Sequence, residues 1–309
     1  MPSSDESTLA FLNLEPDQIL ATLEELGFAC DGRFLTLNSY ENRVYQLGIE
    51  DAAPVVAKFY RPGRWSDEQI LEEHAFAAEL AALDIPVVPP MVVNGETLHR
   101  SGHFRVSVSA CKGGRAPDLD DHRLMRQLGR LIARIHLAGE AGSFEYRPTL
   151  DIDTYGVRSA EFLLESGFIP EELEEVYDGI TDHLFDDIER CFARAGSIRD
   201  IRLHGDFHPG NVLVAGEQLH IVDLDDTRIG PAVQDLWMFL SGDRVEQTPQ
   251  LEVLLEGYTE FRRFDARELH IIEALRTLRI MHYSAWLARR WDDPAFKRAF
   301  PWFDSRRYW

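Results

Sequence analysis

Cysteine is scarce in this sequence: Cys30, Cys111 and Cys191 stand far apart in 309 residues, and no two form a CxxC pair. That spacing argues against a zinc or dithiol redox centre and leaves buried free thiols as the expectation. Long apolar runs are missing as well. Stretches such as residues 106–110 are of strand length, well short of the roughly 20 residues that span a bilayer. The first seven residues, MPSSDES, are acidic where a secretory signal opens basic and then turns apolar, so no export is expected and the chain reads as soluble and cytoplasmic, with no membrane partner. Basic residues are the third deficit: 32 Lys and Arg stand against 53 Asp and Glu, a formal charge of −21. A nucleic-acid partner is thereby disfavoured, because tracking a phosphate backbone needs a basic surface to displace counterions, whereas a cationic small molecule or a basic protein segment is tolerated. Residues 161–189 contain no Lys or Arg at all, which reads first as a solvated helical face.

What the sequence does contain is enough apolar material, 45%, to bury a large core, and a change of character part-way along. After a lead-in helix at 16–26, residues 34–37, 43–47 and 55–60 read as strands of a small antiparallel sheet. Ser66-Asp-Glu-Gln69 is a capping-box pattern opening a helix that runs to Leu83. Residues 87–93, 96–99 and 104–110 read as further strands. Lys112-Gly-Gly114 then breaks the pattern, and from 121 to 137 Leu124, Leu128, Leu131, Ile132 and Ile135 recur at helical spacing. Helices dominate from there, interrupted by short strands at 201–203, 212–214 and 219–222, with later helices starting near Val233, Leu251 and Ala266. The expected architecture is α+β in two lobes: residues 1–111, a small antiparallel sheet with one helix that binds nucleotide, and 112–309, a larger, mainly helical catalytic and substrate lobe.

The chemistry concentrates in His204-Gly-Asp206-Phe-His208-Pro-Gly210-Asn211, followed by Ile221-Val-Asp223-Leu-Asp225-Asp226. Phosphoryl transfer needs one Asp to orient the attacking hydroxyl and take its proton, and an Asn with a second Asp to hold a divalent cation against the phosphates. Asp206, Asn211 and Asp223 answer to those roles, at the Asp-x-x-x-x-Asn spacing of a kinase catalytic loop. His204 and His208 sit four apart on a Pro/Gly-rich loop; a hard cation prefers oxygen donors, so no zinc is expected. Upstream, Lys58 in Val55-Val-Ala-Lys58 is the candidate anchor for the α/β-phosphates. Its partner is Glu73, which shares a stripe with Ile70, Ala77 and Leu80, in preference to Glu72 on a more polar stripe. The turn that should cover the phosphates, residues 37–44, lacks glycine; Ser39 and Asn42 are expected to help there by side chain. Adenine is expected against Ser109-Ala110-Cys111, where strand backbone groups are available.

The wording of the His204–Asn211 loop resembles the aminoglycoside phosphotransferase and choline kinase superfamily, which has the protein-kinase fold. That resemblance implies ATP as co-substrate and Mg2+ as the metal, with Asp206 and Asp223 catalytic, Asn211 and Asp223 on the metal, and Asp235 a buried brace beneath the loop. The segments around Asn38–Tyr45, Lys58–Trp65, Gln69–His74 and Gln234–Trp237 are similar to bacterial stress-response serine/threonine kinases of that superfamily, over nearly the whole chain. A Ser or Thr acceptor in a protein substrate, the chain itself included, is what this likeness implies, and a monomer is expected. The residues alone leave a second acceptor class open, a small alcohol such as an aminoglycoside, a choline-like alcohol or homoserine. A nucleotide-binding pseudokinase is disfavoured because Lys58, Asp206, Asn211 and Asp223 are all present. The 12-residue step from Asp223 to Asp235 also leaves no room for a long activation segment.

Overall fold

The computed structural model describes residue 11 and residues 14–309. The acidic opening read above, residues 1–7, lies outside the described residues. Contacts divide the chain into two compact units, the first taking the described residues up to Pro117 together with Gly210–Asp225, the second taking Asp118–Pro209 and Asp226–Trp309.

In the first unit, α1 (Pro16–Glu25) leads into a five-stranded sheet of order β1-β2-β3-β5-β4, made by Cys30–Thr36, Arg43–Ile49, Ala52–Tyr60, Phe104–Ala110 and His99–Ser101. All its pairings are antiparallel. Strand alternation sorts the side chains of β3: Ala57 and Phe59 are fully buried in a cluster with Leu47, Val106, Val108 and the α1 residues Ile19 and Leu23. Val56, Lys58 and Tyr60 therefore face the opposite way. Ser66 caps α2 (Asp67–Ala82) as its pattern predicts, its hydroxyl accepting from Gln69 N while Gln69 Oε1 accepts from Ser66 N.

Two of the strands expected between α2 and β5 do not form as drawn. Residues 87–93 make only isolated bridges, Val87 to Ile221, Pro90 to Ser109 and Val93 to Glu96, because Pro86, Pro89 and Pro90 have no N–H to give a ladder. Of the expected strand at 96–99, Glu96 closes a tight turn on Val93, in which Asn94 and Gly95 have φ of 53° and 86°, and sheet pairing begins only at His99. The hairpin β7 (Val212–Ala215) and β8 (Gln218–Ile221) rejoins the first unit: Val88 N donates to Ile221 O, and Arg115 N to Val214 O. The boundary expected at 111/112 thus becomes a division at Pro117 with a returning hairpin, since those backbone bonds bind 210–225 to the earlier chain.

The second unit is mainly helical. Its core helix α3 (His122–Glu140), capped by Asp121, packs against α7 (Arg244–Tyr258), and Gly129 and Gly257 permit the approach: a Cβ at Gly129 would lie 2.0 Å from Leu254 O. Helices α4 (Arg158–Glu165) and α5 (Glu171–Ala195) follow, then β6 (Asp200–Leu203), which pairs with β9 (Arg228–Pro231), a strand the sequence pattern did not announce. Helix α6 (Gln234–Trp237) is a single turn, α7 starts at its Asp243 cap and not near Leu251, and α8 (Ile272–Arg289) precedes α9 (Pro294–Ala299). The aromatic carboxyl end docks: Phe303 is fully buried, with Phe168, Trp291 and Trp309 around it. Among the described residues no helix is long and apolar enough to cross a membrane.

Candidate active site

The first unit contains a cavity of about 360 Å³. Its walls are apolar, with Val44, Val56, Ala77, Val88 and Leu213 among them, and its polar lining includes Ser39, Lys58, Glu73, Ser109, Cys111, Asn211 and Asp223. An apolar slot with a few convergent polar groups is what a heteroaromatic ring carrying phosphates requires. Every site residue expected from the sequence in this unit is among its lining residues, with one exception. Asn42 is buried elsewhere, and its Oδ1 accepts from Arg61 N at 3.0 Å, so it braces the end of β3.

Lys58 stands on the face of β3 opposite to Phe59, its Nζ 3.3 Å from Glu73 Oε1 on α2. Glu73 is buried, as the helical stripe predicts, and Glu72 is not. The shortest contact of Lys58 is one the sequence reading did not assign, Asp225 Oδ1 at 2.7 Å; Asp223 Oδ1 follows at 3.4 Å. Asp225 is only 3% exposed and is also paired with Arg64. Burial works against the charge of Lys58, but Asp225, Glu73, Tyr60 and Asp223 outweigh it and hold the ammonium well above its ordinary pKa. It is a fixed cation. The same burial, with Glu73 beside it, pushes the Tyr60 hydroxyl far up, so Tyr60 is neutral and hydrogen-bonds His74 at 2.8 Å.

Asn211 and Asp223 meet across the β7–β8 hairpin, where Val222 N donates to Asn211 O at 3.0 Å. Asp223 has φ of 60°, a left-handed conformation that costs a non-glycine residue and that recurs at functional sites. Its side chain is 50% exposed, against 4% for Asp225. One carboxylate of the pair is thus spent on buried cations, and the other, beside the Asn211 amide in the cavity lining, is open to a further cation. Oxygen donors of this kind suit a hard divalent ion.

In the second unit, Asp206 lies on the loop leaving β6. Gly205 has φ of 84°, and a Cβ there would come within 2.2 Å of Asp226 O, so only glycine fits. Asp235, fully buried on α6, accepts from the backbone N–H of both His204 and Gly205 at 2.9 Å, the brace that the family resemblance implies. His136 Nε2 lies 3.3 Å from the same carboxylate, and its Nδ1 2.8 Å from the Tyr258 hydroxyl. The Asp206 side chain is 24% exposed, with Arg279 Nη1 at 2.6 Å from Oδ1 and His208 Nε2 at 3.5 Å from Oδ2. Burial alone would raise its pKa, but the bond to His208 and the Arg279 charge hold it well below the carboxylate range. Asp206 is therefore ionised at neutral pH. Neither Arg279 nor Asp225 carried a role in the sequence reading. Asp225 had a signal in the alternation Asp223-Leu-Asp225, whereas Arg279, 73 residues beyond Asp206, had none.

Comparison with known proteins identifies the family of the chain. The model of a phosphotransferase enzyme family matches residues 34–271. The chain is 42% identical over 305 residues to a protein of Escherichia coli (strain K12) named stress response kinase A, covering 99% of this chain and 92% of that one. It is 41% identical over 307 residues to a Salmonella typhimurium (strain LT2) protein named serine/threonine protein kinase RdoA, with the same coverage, 99% and 92%. Among solved structures, an amicoumacin kinase in complex with AMP-PNP, Ca2+ and its ligand superposes with a TM-score of 0.71 at 19% identity, over 94% of this chain and 93% of that one. A spectinomycin phosphotransferase in complex with ADP and spectinomycin gives 0.67 at 18%, over 94% of each chain. At those identities the two structures speak to the fold alone.

Proposed function

We propose that this chain, which belongs to the phosphotransferase enzyme family, transfers the γ-phosphate of Mg-ATP to the hydroxyl of a serine or threonine in a protein. The observation that carries the chemistry is the cavity in which Lys58, Glu73, Asn211 and Asp223 come together on apolar walls. The acceptor class and a role in a stress response rest on similarity over 99% of the chain to the relatives that bear those names.

In this reading Val56 and Leu213 flank the base, the strand-end backbone at Ser109–Cys111 meets its polar edge, and Ser39 meets the phosphates from the β1–β2 turn. Lys58, held charged by its carboxylate neighbours, draws the α/β-phosphates in. Asn211 and Asp223 would hold Mg2+, which supplies charge neutralisation on the phosphate oxygens. Asp206 orients the acceptor hydroxyl through its carboxylate. As the hydroxyl oxygen bonds to the γ-phosphorus, the bond from that phosphorus to the β–γ bridging oxygen breaks. ADP leaves with the electron pair, and the hydroxyl proton passes to Asp206. A carboxylate kept as acidic as this one is a weak base. That suits a loose transition state, in which the nucleophile needs placing more than it needs deprotonating.

The test is transfer of labelled γ-phosphate from Mg-ATP by the wild type and by Asp206→Ala, offered the chain itself, a basic protein, and a panel of aminoglycosides and amino alcohols. Label is expected on protein Ser or Thr, falling by about 10²–10⁴-fold in the variant while nucleotide binding persists. Label confined to a small alcohol would overturn the acceptor assignment. Wild-type turnover by Asp206→Ala would overturn the role of Asp206.

A further inference from the structure

The catalytic-loop segment His204–Asn211 contains no Lys or Arg, yet its one carboxylate is met by a guanidinium. That guanidinium comes from α8, whose buried face, Leu275, Leu278, Met281 and Ala285, fixes the helix in the second unit. The same helix reaches the loop a second time. Arg276, one turn before Arg279, lies 5.9 Å from the Trp237 ring; Trp237 Nε1 donates to Gln234 Oε1 at 3.0 Å, and Gln234 Nε2 donates to Gly205 O at 3.1 Å. Gly205 and Asp206 are thus both tied to α8, one through a relay of three side chains and the other directly.

We propose that Arg279 is a positioning residue for phosphoryl transfer: its guanidinium, 2.6 Å from Oδ1, fixes the Asp206 carboxylate so that the other oxygen is presented to the acceptor hydroxyl. The inference rests on Asp206 being the group that receives that hydroxyl. A lone carboxylate on a loop rotates about two side-chain torsions. The charged contact at Oδ1 restricts that freedom. The His208 ring meets the second oxygen at 3.5 Å, and because a carboxylate oxygen carries two acceptor lone pairs, Oδ2 can accept from His208 and from a substrate hydroxyl together. The Arg279 side chain is itself 34% exposed, so its removal opens no core cavity, and a purely structural account of the ion pair predicts little effect on anything.

The experiment compares Arg279→Gln and Arg279→Lys with the wild type and Asp206→Asn, measuring kcat and KM for Mg-ATP, nucleotide binding and the melting temperature. Arg279→Gln should lower kcat by about 10–100-fold, since misplacing a reacting group by about 1 Å costs on that order, while KM for Mg-ATP moves less than about twofold. Arg279→Lys should recover a substantial part of the lost kcat. Unchanged kcat in Arg279→Gln, with Asp206→Asn inactive, would sink the positioning role and leave the base intact. An active Asp206→Asn would sink both. An early melt of Arg279→Gln with loss of nucleotide binding would assign Arg279 to folding and overturn the proposal.

Discussion

Around Lys58 one ammonium is shared among Glu73, Asp223 and Asp225, with Arg64 as a second cation on Asp225. Around Asp206 the sharing runs the other way: one carboxylate lies between the Arg279 guanidinium and the His208 ring, while Asp235 grips the backbone beneath it. The first cluster has a carboxylate held only at longer range, Asp223, 3.4 Å from Lys58, half exposed and in a left-handed conformation; the second has none of that kind. In the function proposed above, the difference follows from what each cluster would meet. A site for a polyanion and its counter-cation must fix charges of both signs before the ligand arrives, and keep one carboxylate in reserve. A site for a neutral hydroxyl needs a single ionised oxygen in a fixed direction.

That contrast can be broken at its strongest point first. Lys58→Met removes the cation that Glu73 and Asp225 share, leaving buried carboxylates short of a partner. A loss of about 3–5 kcal/mol in stability is expected, together with loss of nucleotide binding, read by thermal melting with and without Mg-ATP. If the variant melted like the wild type, the cluster around Lys58 would not be the tightly paired one described. Asp235→Ala attacks the other side by orphaning the N–H groups of His204 and Gly205. About 1–3 kcal/mol per group is expected, with kcat falling and nucleotide affinity nearly kept, because the residues around Lys58 are untouched. Equal losses in affinity and kcat would erase the distinction between the two clusters.

The mildest probe is Glu268, buried in the second unit, whose Oε2 accepts from Val233 N just ahead of Asp235. Burial pushes its pKa up to about 7. A carboxyl raised in the folded state adds stability that is fully present below its ordinary value near 4.5 and is lost as pH rises through about 7. Glu268→Gln keeps the acceptor and removes the titration. The variant should therefore lose less stability than the wild type between pH 5 and pH 8, each tenfold change in proton affinity being worth about 1.4 kcal/mol. Parallel melting curves across that range would show that Glu268 does not titrate there.

Much of this was legible before any fold was known, for reasons that differ by element. The β2 and β3 strands, the Ser66 cap and the choice of Glu73 over Glu72 follow from periods of 2 and 3.6 and from bonds spanning three residues. The strands expected at 87–93 and 96–99 failed where apolar content outvoted proline chemistry and the Asn94-Gly95 turn. Asn42 was read as a phosphate-side residue from its place in the turn, but its side chain folds back on Arg61 N.

By itself, the sequence determined the residue types that phosphoryl transfer requires, their order, and the local elements that carry most of them, because a strand's alternation and a loop's spacing are properties of neighbouring residues. Tertiary structure alone decided that Asp225 is the nearest partner of Lys58, that residues 210–225 return to the first unit, and that Arg279 faces Asp206. Those pairings join groups far apart along the chain. Only the packing of whole helices and sheets, driven by buried apolar faces that carry none of these charges, brings such groups within reach.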